Sequence, residues 1–278
     1  MIVYPNAKIN IGLSVTEKRA DGYHNLETVF YPLTGLRDIL ELNLSGGAKG
    51  VCEFENTGIG IDCAEEKNLV VKAYKLLAAA FGLPGIRVNL HKVIPYGAGL
   101  GGGSSDAAFM LKALNEYFNL KISERGLMNY ASRLGSDCAF FIRNRPSFAG
   151  GRGELLEDSA LSLEDYEFLV VKPDCRVSTT EAYAAISPRK AAYDLHNLKD
   201  LPIEQWAALV KNDFENTILK KYPEIGRVKN ELYEQGAVYA SMTGSGSGVY
   251  GIFPKGASVV TEPLRGEFVW KEEKEKTE

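Results

Sequence analysis

The sequence predicts an α+β fold in two lobes, divided near residue 150. Three observations carry this. The N-terminal segments alternate apolar and polar residues with a period of two. Stretches further on repeat their apolar residues at helical spacing. Between them, a glycine-rich loop leaves a strand-like segment and opens a helix-like one.

In chain order, Ala7 to Val15, Leu26 to Leu33 and Asp38 to Leu44 read as strands. Asn68 to Phe81 reads as a helix, with Leu69, Val70, Ala73, Leu76, Leu77 and Ala80 along one side. Ile86 to Val93 alternates like a strand and leads into the glycine-rich loop. Helices follow from Ser104 to Phe118 and from Ser123 to Leu134. Arg133 to Phe141 leaves the second helix and runs into an apolar, strand-like segment. Near Ser147 the composition changes, and Gly150, Gly151 and Gly153 break the pattern. This sets the lobes at 1–150 and 151–278. Tyr166 to Val171 reads as a buried strand ended by Pro173, and beyond it helical stretches alternate with strands. The tail from Lys271 to Glu278 is almost all charge and is expected to be solvated.

The composition narrows the class. The chain has 278 residues, 45% hydrophobic and 24% charged, which is a globular balance. A net charge of -4 provides no footprint for nucleic acid or an anionic membrane. No apolar run approaches the roughly 20 residues that span a bilayer, and the N-terminus has no signal-peptide core. The expected place is the cytoplasm. Cys52, Cys63, Cys138 and Cys175 are scattered and read as free thiols. With only His24, His91 and His196 besides, a protein-built metal cage is not expected.

The loop Pro95-Tyr96-Gly97-Ala98-Gly99-Leu100-Gly101-Gly102-Gly103-Ser104-Ser105 is the most informative segment. Five glycines in seven positions let backbone amides turn inward and approach an anion. Ser104 or Ser105 can cap the following helix, whose N-terminal dipole favours negative charge. Together these make a phosphate cradle. A plain surface turn needs no such run. A dinucleotide fold fits GxGxxG formally, but no acidic residue ends a second strand about 20 positions on. The Gly-Lys-Ser/Thr ending of a Walker loop is missing.

Pro-x-Gly-x-Gly-Leu-Gly-x-Gly-Ser-Ser opening a helix resembles the ATP loop of the GHMP kinases. Three further segments extend the resemblance from Pro5 to Phe253. Pro5, Ala7-Lys8, Asn10 and the run Arg19-Ala20-Asp21-Gly22-Tyr23-His24, with Leu26 and Thr28, resemble one branch of that superfamily. Its acceptor is a cytidine-diphosphate-linked methylerythritol. Arg133 to Phe141 resembles the segment carrying the family's catalytic aspartate, here at Asp137. Ser241 to Gly248 resembles the third family signature, a turn close to the phosphates. The chain departs from the family pattern at Ala149 to Glu154, which is richer in glycine. It departs again at Pro254 to Glu267, where Pro254, Gly256, Pro263 and Gly266 break the long late helix otherwise expected.

The resemblance implies a two-lobed GHMP kinase fold, an ATP-binding N-terminal lobe, a C-terminal lobe, and an active site in the cleft between them. It implies ATP as co-substrate, Mg2+ with it, and a small-molecule acceptor. Lys8 and Asp137 would be the catalytic pair, with Asp137 accepting the hydroxyl proton and Lys8 stabilising negative charge. The Pro95–Ser105 loop would hold the phosphates, with the Ser104 or Ser105 hydroxyl near the metal. Asp106 would turn its carboxylate away from ATP. Asn10, Tyr23, His24 and Tyr183 would bind the acceptor, Tyr23 and Tyr183 sandwiching cytosine and His24 bonding its edge. Read alone, Lys8 is as well a solvated lysine, Tyr23-His24 an aromatic pair behind a turn, and Tyr183 a helix-packing residue. Two rivals stand beside this reading: another GHMP kinase of homoserine or mevalonate type, and a non-catalytic sensor on the same fold.

Overall fold

The computed structural model describes residues 1–60, 63–262, 264 and 268–272. The chain forms two units, one of residues 1–8, 32–96 and 101–145, the other of residues 9–31, 97–100 and 146–278.

The first unit opens on β1 (Ile2–Val3). Two long strands, β2 (Asn6–Lys18) and β3 (His24–Arg37), each contribute residues to both units. β4 (Ile39–Leu44) and β5 (Cys52–Gly58) come next, then α1 (Leu69–Phe81) and β6 (Ile86–Lys92). The sheet order is β1-β4-β6-β5, with β5 parallel to β6 and the other pairs antiparallel. α1 is the crossover that a parallel pair requires. It begins at Asn68, whose side chain accepts from the Val70 amide, and ends at Gly82, left-handed at φ +66°.

The period of two in β6 turns Ile86, Val88 and Leu90 inward and leaves Arg87 and His91 exposed. The same period turns Lys92 inward, so its ammonium needs buried partners. α2 (Gly102–Tyr117), α3 (Glu124–Ser132) and α4 (Cys138–Arg143) complete the unit. Ser123 caps α3 by accepting from the Gly126 amide. α4 corrects the strand-like reading of Ala139 to Phe141. A short run buried on all sides carries no period that separates helix from strand, and Asn144, at φ +51°, ends the helix.

In the second unit β7 (Ser147–Gly150) and β8 (Leu155–Asp158) form a hairpin beside β3, in a sheet of order β2-β3-β7-β8. The glycine-rich stretch from 149 to 154 ends β7 and supplies, at 151–154, the turn of this hairpin. After β9 (Tyr166–Lys172) come α5 (Thr179–Ala184), α6 (Trp206–Leu209), α7 (Glu215–Lys221) and α8 (Pro223–Glu234). Only then do β10 (Tyr239–Met242), β11 (Val249–Pro254) and β12 (Phe268–Lys271) follow. The expected alternation of helices and strands is thus corrected to a run of helices followed by a run of strands. β9 draws its partners from the end of the chain, in an antiparallel sheet of order β10-β11-β9-β12. Leu169, Val171, Met242 and Val249 of this sheet form a core with Phe214, Ile225, Val228 and Leu232.

β12 also corrects the reading of the tail. Lys271 pairs with Leu169, and the Glu272 carboxylate accepts from the Phe168 amide at 3.2 Å. Residues 273–278 lie outside the described residues. No helix forms between Lys255 and Glu262, in keeping with the breaks at Pro254 and Gly256; Pro263 and Gly266 are not among the described residues.

Candidate active site

The glycine loop takes its shape from left-handed backbone that side chains disfavour. Gly97, Gly99 and Gly101 have φ of +69°, +71° and +73°. Gly97 to Leu100 belong to the second unit; Pro95, Tyr96 and Gly101 to Ser105 belong to the first. A Cβ on Gly101 would lie 2.9 Å from the Phe141 ring and 3.1 Å from Cγ of Lys8, so the loop packs directly on the lysine stem. Gly101 is also the N-cap of α2, which corrects the capping role expected of Ser104 or Ser105. Both serines lie in the first turn of the helix. Its first amides, from Gly102 on, are therefore the ones left to face an anion. Ser105 is buried and its hydroxyl has no hydrogen-bond partner among the described residues, while Ser104 is half-buried. Around Gly103 a Cβ would meet nothing within 4 Å.

Lys8 and Asp137 come together in the first unit. The Lys8 ammonium is 3.5 Å from Asp137 Oδ2. Lys8 is buried, whereas the Asp137 side chain is 30% exposed and stands at the start of α4. Burial lowers the Lys8 pKa, and the charge and hydrogen bond of Asp137 oppose that fall without cancelling it. The pair thus offers an accessible carboxylate backed by a buried cation.

A second lysine site, missed in the sequence, lies beside the foot of α2. Lys92 binds Asp38 and, at 2.8 Å, Asp106 Oδ2. All three are buried. Asp38 also accepts from the Val93 and Ile94 amides at 2.6 and 2.8 Å, closing the end of β6. Burial opposes the Lys92 charge, but Asp106 and Asp38 outweigh it and raise the pKa. Burial pushes Asp106 up to about 8, with Lys92 pulling against it and Asp38 adding to it. Asp106 thus turns its carboxylate onto Lys92. The inward place of Lys92 in β6 was a usable sequence signal; its partners were not.

In the second unit the structure brings His24 and Tyr183 together, their rings stacked at 5.1 Å and 27°. Tyr183 also meets Phe214 edge-on at 4.9 Å, so it packs as well as faces the histidine. Tyr23 is 57% exposed and carries the Arg152 guanidinium over its ring at 4.8 Å. The ring packed on Tyr183 is that of His24, and the ring of Tyr23 faces Arg152. Arg152 comes from the glycine-rich hairpin turn, which the sequence reading left without a role. Asn10 is buried, and its side-chain amide donates to the Thr28 hydroxyl at 3.2 Å.

Comparison with known proteins adds the family. The description "GHMP kinases N terminal domain" matches residues 68–145, and "GHMP kinases C terminal" matches residues 195–268. The 4-diphosphocytidyl-2-C-methyl-D-erythritol kinase of Bacteroides thetaiotaomicron is 54% identical over 263 residues, spanning 94% of this chain and 96% of that one. Its counterpart from Parabacteroides distasonis is 48% identical over 271 residues, spanning 97% and 98%. A crystal structure of 4-(cytidine 5'-diphospho)-2C-methyl-D-erythritol kinase superposes with a TM-score of 0.78 at 32% identity, covering 98% of each chain. The Methanococcus jannaschii mevalonate kinase gives 0.70 at 15% identity over 98% of this chain and 97% of that one, a likeness of fold alone.

Proposed function

The chain belongs to the GHMP kinases and, within them, to the 4-diphosphocytidyl-2-C-methyl-D-erythritol kinases, and from this premise we propose how its residues divide the reaction. The enzyme uses ATP to phosphorylate a hydroxyl of its cytidyl acceptor, in isoprenoid-precursor synthesis. The observation that carries the residue assignment is the pairing of buried Lys8 with half-open Asp137, on a lysine stem packed against Gly101.

In this reading residues 1–150 supply the catalytic pair and the loop, and residues 151–278 supply Tyr183. The Pro95–Ser105 loop binds the phosphates through its backbone amides. The acceptor oxygen attacks the γ-phosphorus while the bond to the β–γ bridging oxygen breaks and ADP leaves. The hydroxyl proton passes to the Asp137 carboxylate. Asp137 orients the hydroxyl first and takes the proton late, as attack completes. Lys8 pairs with Asp137 and stabilises charge developing on the transferred group.

Among the described residues no group of three acidic, histidine or cysteine side chains could hold a metal. Mg2+ would be carried mainly by phosphate oxygens and water, with the Ser104 and Ser105 hydroxyls as the hard oxygen donors at hand. When bound, Mg2+ neutralises charge on the β- and γ-phosphates. His24 and Tyr183 form one wall of the cytosine site, with Tyr23 next to His24 in the chain and Asn10 on the acceptor side. We assign the enzyme to the cytoplasm, where its four free cysteines remain thiols. Among the described residues no helix is long and apolar enough to cross a membrane.

The test is ADP release measured with the cytidyl acceptor, mevalonate, homoserine and galactose in parallel, on wild type and on His24→Ala. Turnover is expected with the cytidyl acceptor alone. His24→Ala should raise the acceptor KM about 5- to 150-fold, matching about 1–3 kcal/mol for a lost buried hydrogen bond, and leave the ATP KM unchanged. Equal use of a second acceptor, or a shift in the ATP KM alone, would remove the assignment.

A further inference from the structure

Two glycine-rich turns far apart in sequence meet inside the second unit. The Gly248 amide donates to the Ala98 carbonyl at 3.2 Å, and the Ser247 amide to the Gly97 carbonyl at 3.3 Å. Gly99 comes so near that a Cβ would lie 2.1 Å from the Thr243 carbonyl oxygen. Thr243 is fully buried, and its hydroxyl accepts from the Asn10 amide at 3.2 Å. The same hydroxyl lies 3.0 Å from the Gly99 carbonyl and 3.3 Å from Asn10 Oδ1, and can donate to either. Asn10 is held elsewhere too, by the Tyr250 hydroxyl donating to its carbonyl at 2.8 Å. Behind the turn, Asn212 Nδ2 donates to the Met242 and Gly244 carbonyls, both at 2.8 Å. Thr243 is thus the hinge point of a braced network, and its one hydroxyl touches both Asn10 and the glycine loop.

We propose that Thr243 is a positioning residue for phosphoryl transfer, its buried hydroxyl setting Asn10 on the acceptor side and Gly97–Leu100 on the nucleotide side together. This rests on the assignment of those two segments to acceptor and ATP. The physical reason is geometric. A β-branched side chain has little χ1 freedom, so its hydroxyl is a fixed point. Reacting groups misplaced by about 1 Å can lose about 10²-fold in rate.

The test compares Thr243→Ala, which removes hydroxyl and methyl, with Thr243→Ser, which keeps the hydroxyl, alongside Asn10→Ala as a control. Steady-state kinetics for both substrates are read with melting curves, per folded molecule. Thr243→Ala is expected to lower kcat at least about tenfold and to raise both KM values, and Thr243→Ser to restore most of each. An unchanged kcat, a shift in only one KM, or failure of serine to rescue would overturn the proposal. If instead Asn10→Ala leaves the acceptor KM untouched, the fault lies in the assignment of Asn10. Should Thr243→Ala not fold, Thr243→Val keeps the shape without the hydroxyl and gives the same contrast with serine.

Discussion

The first unit holds two lysine–aspartate sites of the same residue types and opposite character. Lys8 meets the Asp137 carboxylate at 3.5 Å, on a side chain still 30% exposed, and its pKa falls. Lys92 is clasped by two buried carboxylates, and its pKa rises. Burial pushes both lysines the same way; the number and closeness of the acids decide which direction wins. The loosely paired site keeps a reachable carboxylate and suits chemistry. The tightly paired one ties the end of β6 to α2 and suits support of the loop between them.

The largest expected difference is in turnover. Asp137→Asn should lower kcat by about 10²–10⁴-fold with little change in either KM, while its melting temperature stays near that of wild type. Near-normal turnover in this variant would erase the contrast between the sites. Lys92→Met should instead appear in the melting curve. Removing the cation leaves the buried Asp38 carboxylate without its partner, at a cost of about 3–5 kcal/mol. At about 2–4 °C per kcal/mol for a chain of this size, a Tm within a degree of wild type would contradict the supporting role.

Acidity sharpens the comparison further. Lys8 must be charged to stabilise the transferred group in the proposed mechanism, and its pKa lies below the ordinary 10.5. Turnover should therefore fall as pH rises before an ordinary lysine would titrate, seen as an alkaline limb in kcat. A flat profile up to pH 10.5 would remove Lys8 from the mechanism. The smallest effect belongs to Asp106. Its folded pKa is raised from 3.8 to about 8, so the stability it contributes is full below the lower value and fades as pH climbs through the upper. Asp106→Asn should flatten this window in Tm measured against pH. Parallel curves for variant and wild type would mean that Asp106 does not change protonation there.

Much of this was legible in the sequence because it is local. The strand of Ile86 to Lys92, the helix that ends at Phe81, and the glycine loop each declare themselves within a short window. Lys8 and Asp137 were named only through family resemblance, since nothing near Lys8 in sequence announces an acid 129 residues away; the structure pairs them. What stayed hidden depends on distance along the chain. Asp38 meets Lys92 from 54 residues away, and Arg152 reaches Tyr23 only because a hairpin turns beneath it. α4 escaped for another reason: Ala139-Phe140-Phe141 is apolar on every side, and a pattern without contrast has no period to read.

The interlock of Gly99 with Thr243 bears on how the chain is made. The two contact points are 144 residues apart, so the first glycine turn leaves the ribosome long before its partner. A nascent chain that ends before Ser241 already contains the entire Pro95–Ser105 loop. It still lacks the strand and turn against which residues 97–100 come to rest. On the proposed assignment of this loop to ATP, competence for nucleotide would come late in synthesis, since such long-range closure is slow. An abortive translation product, however well its early helices form, would compete poorly for ATP.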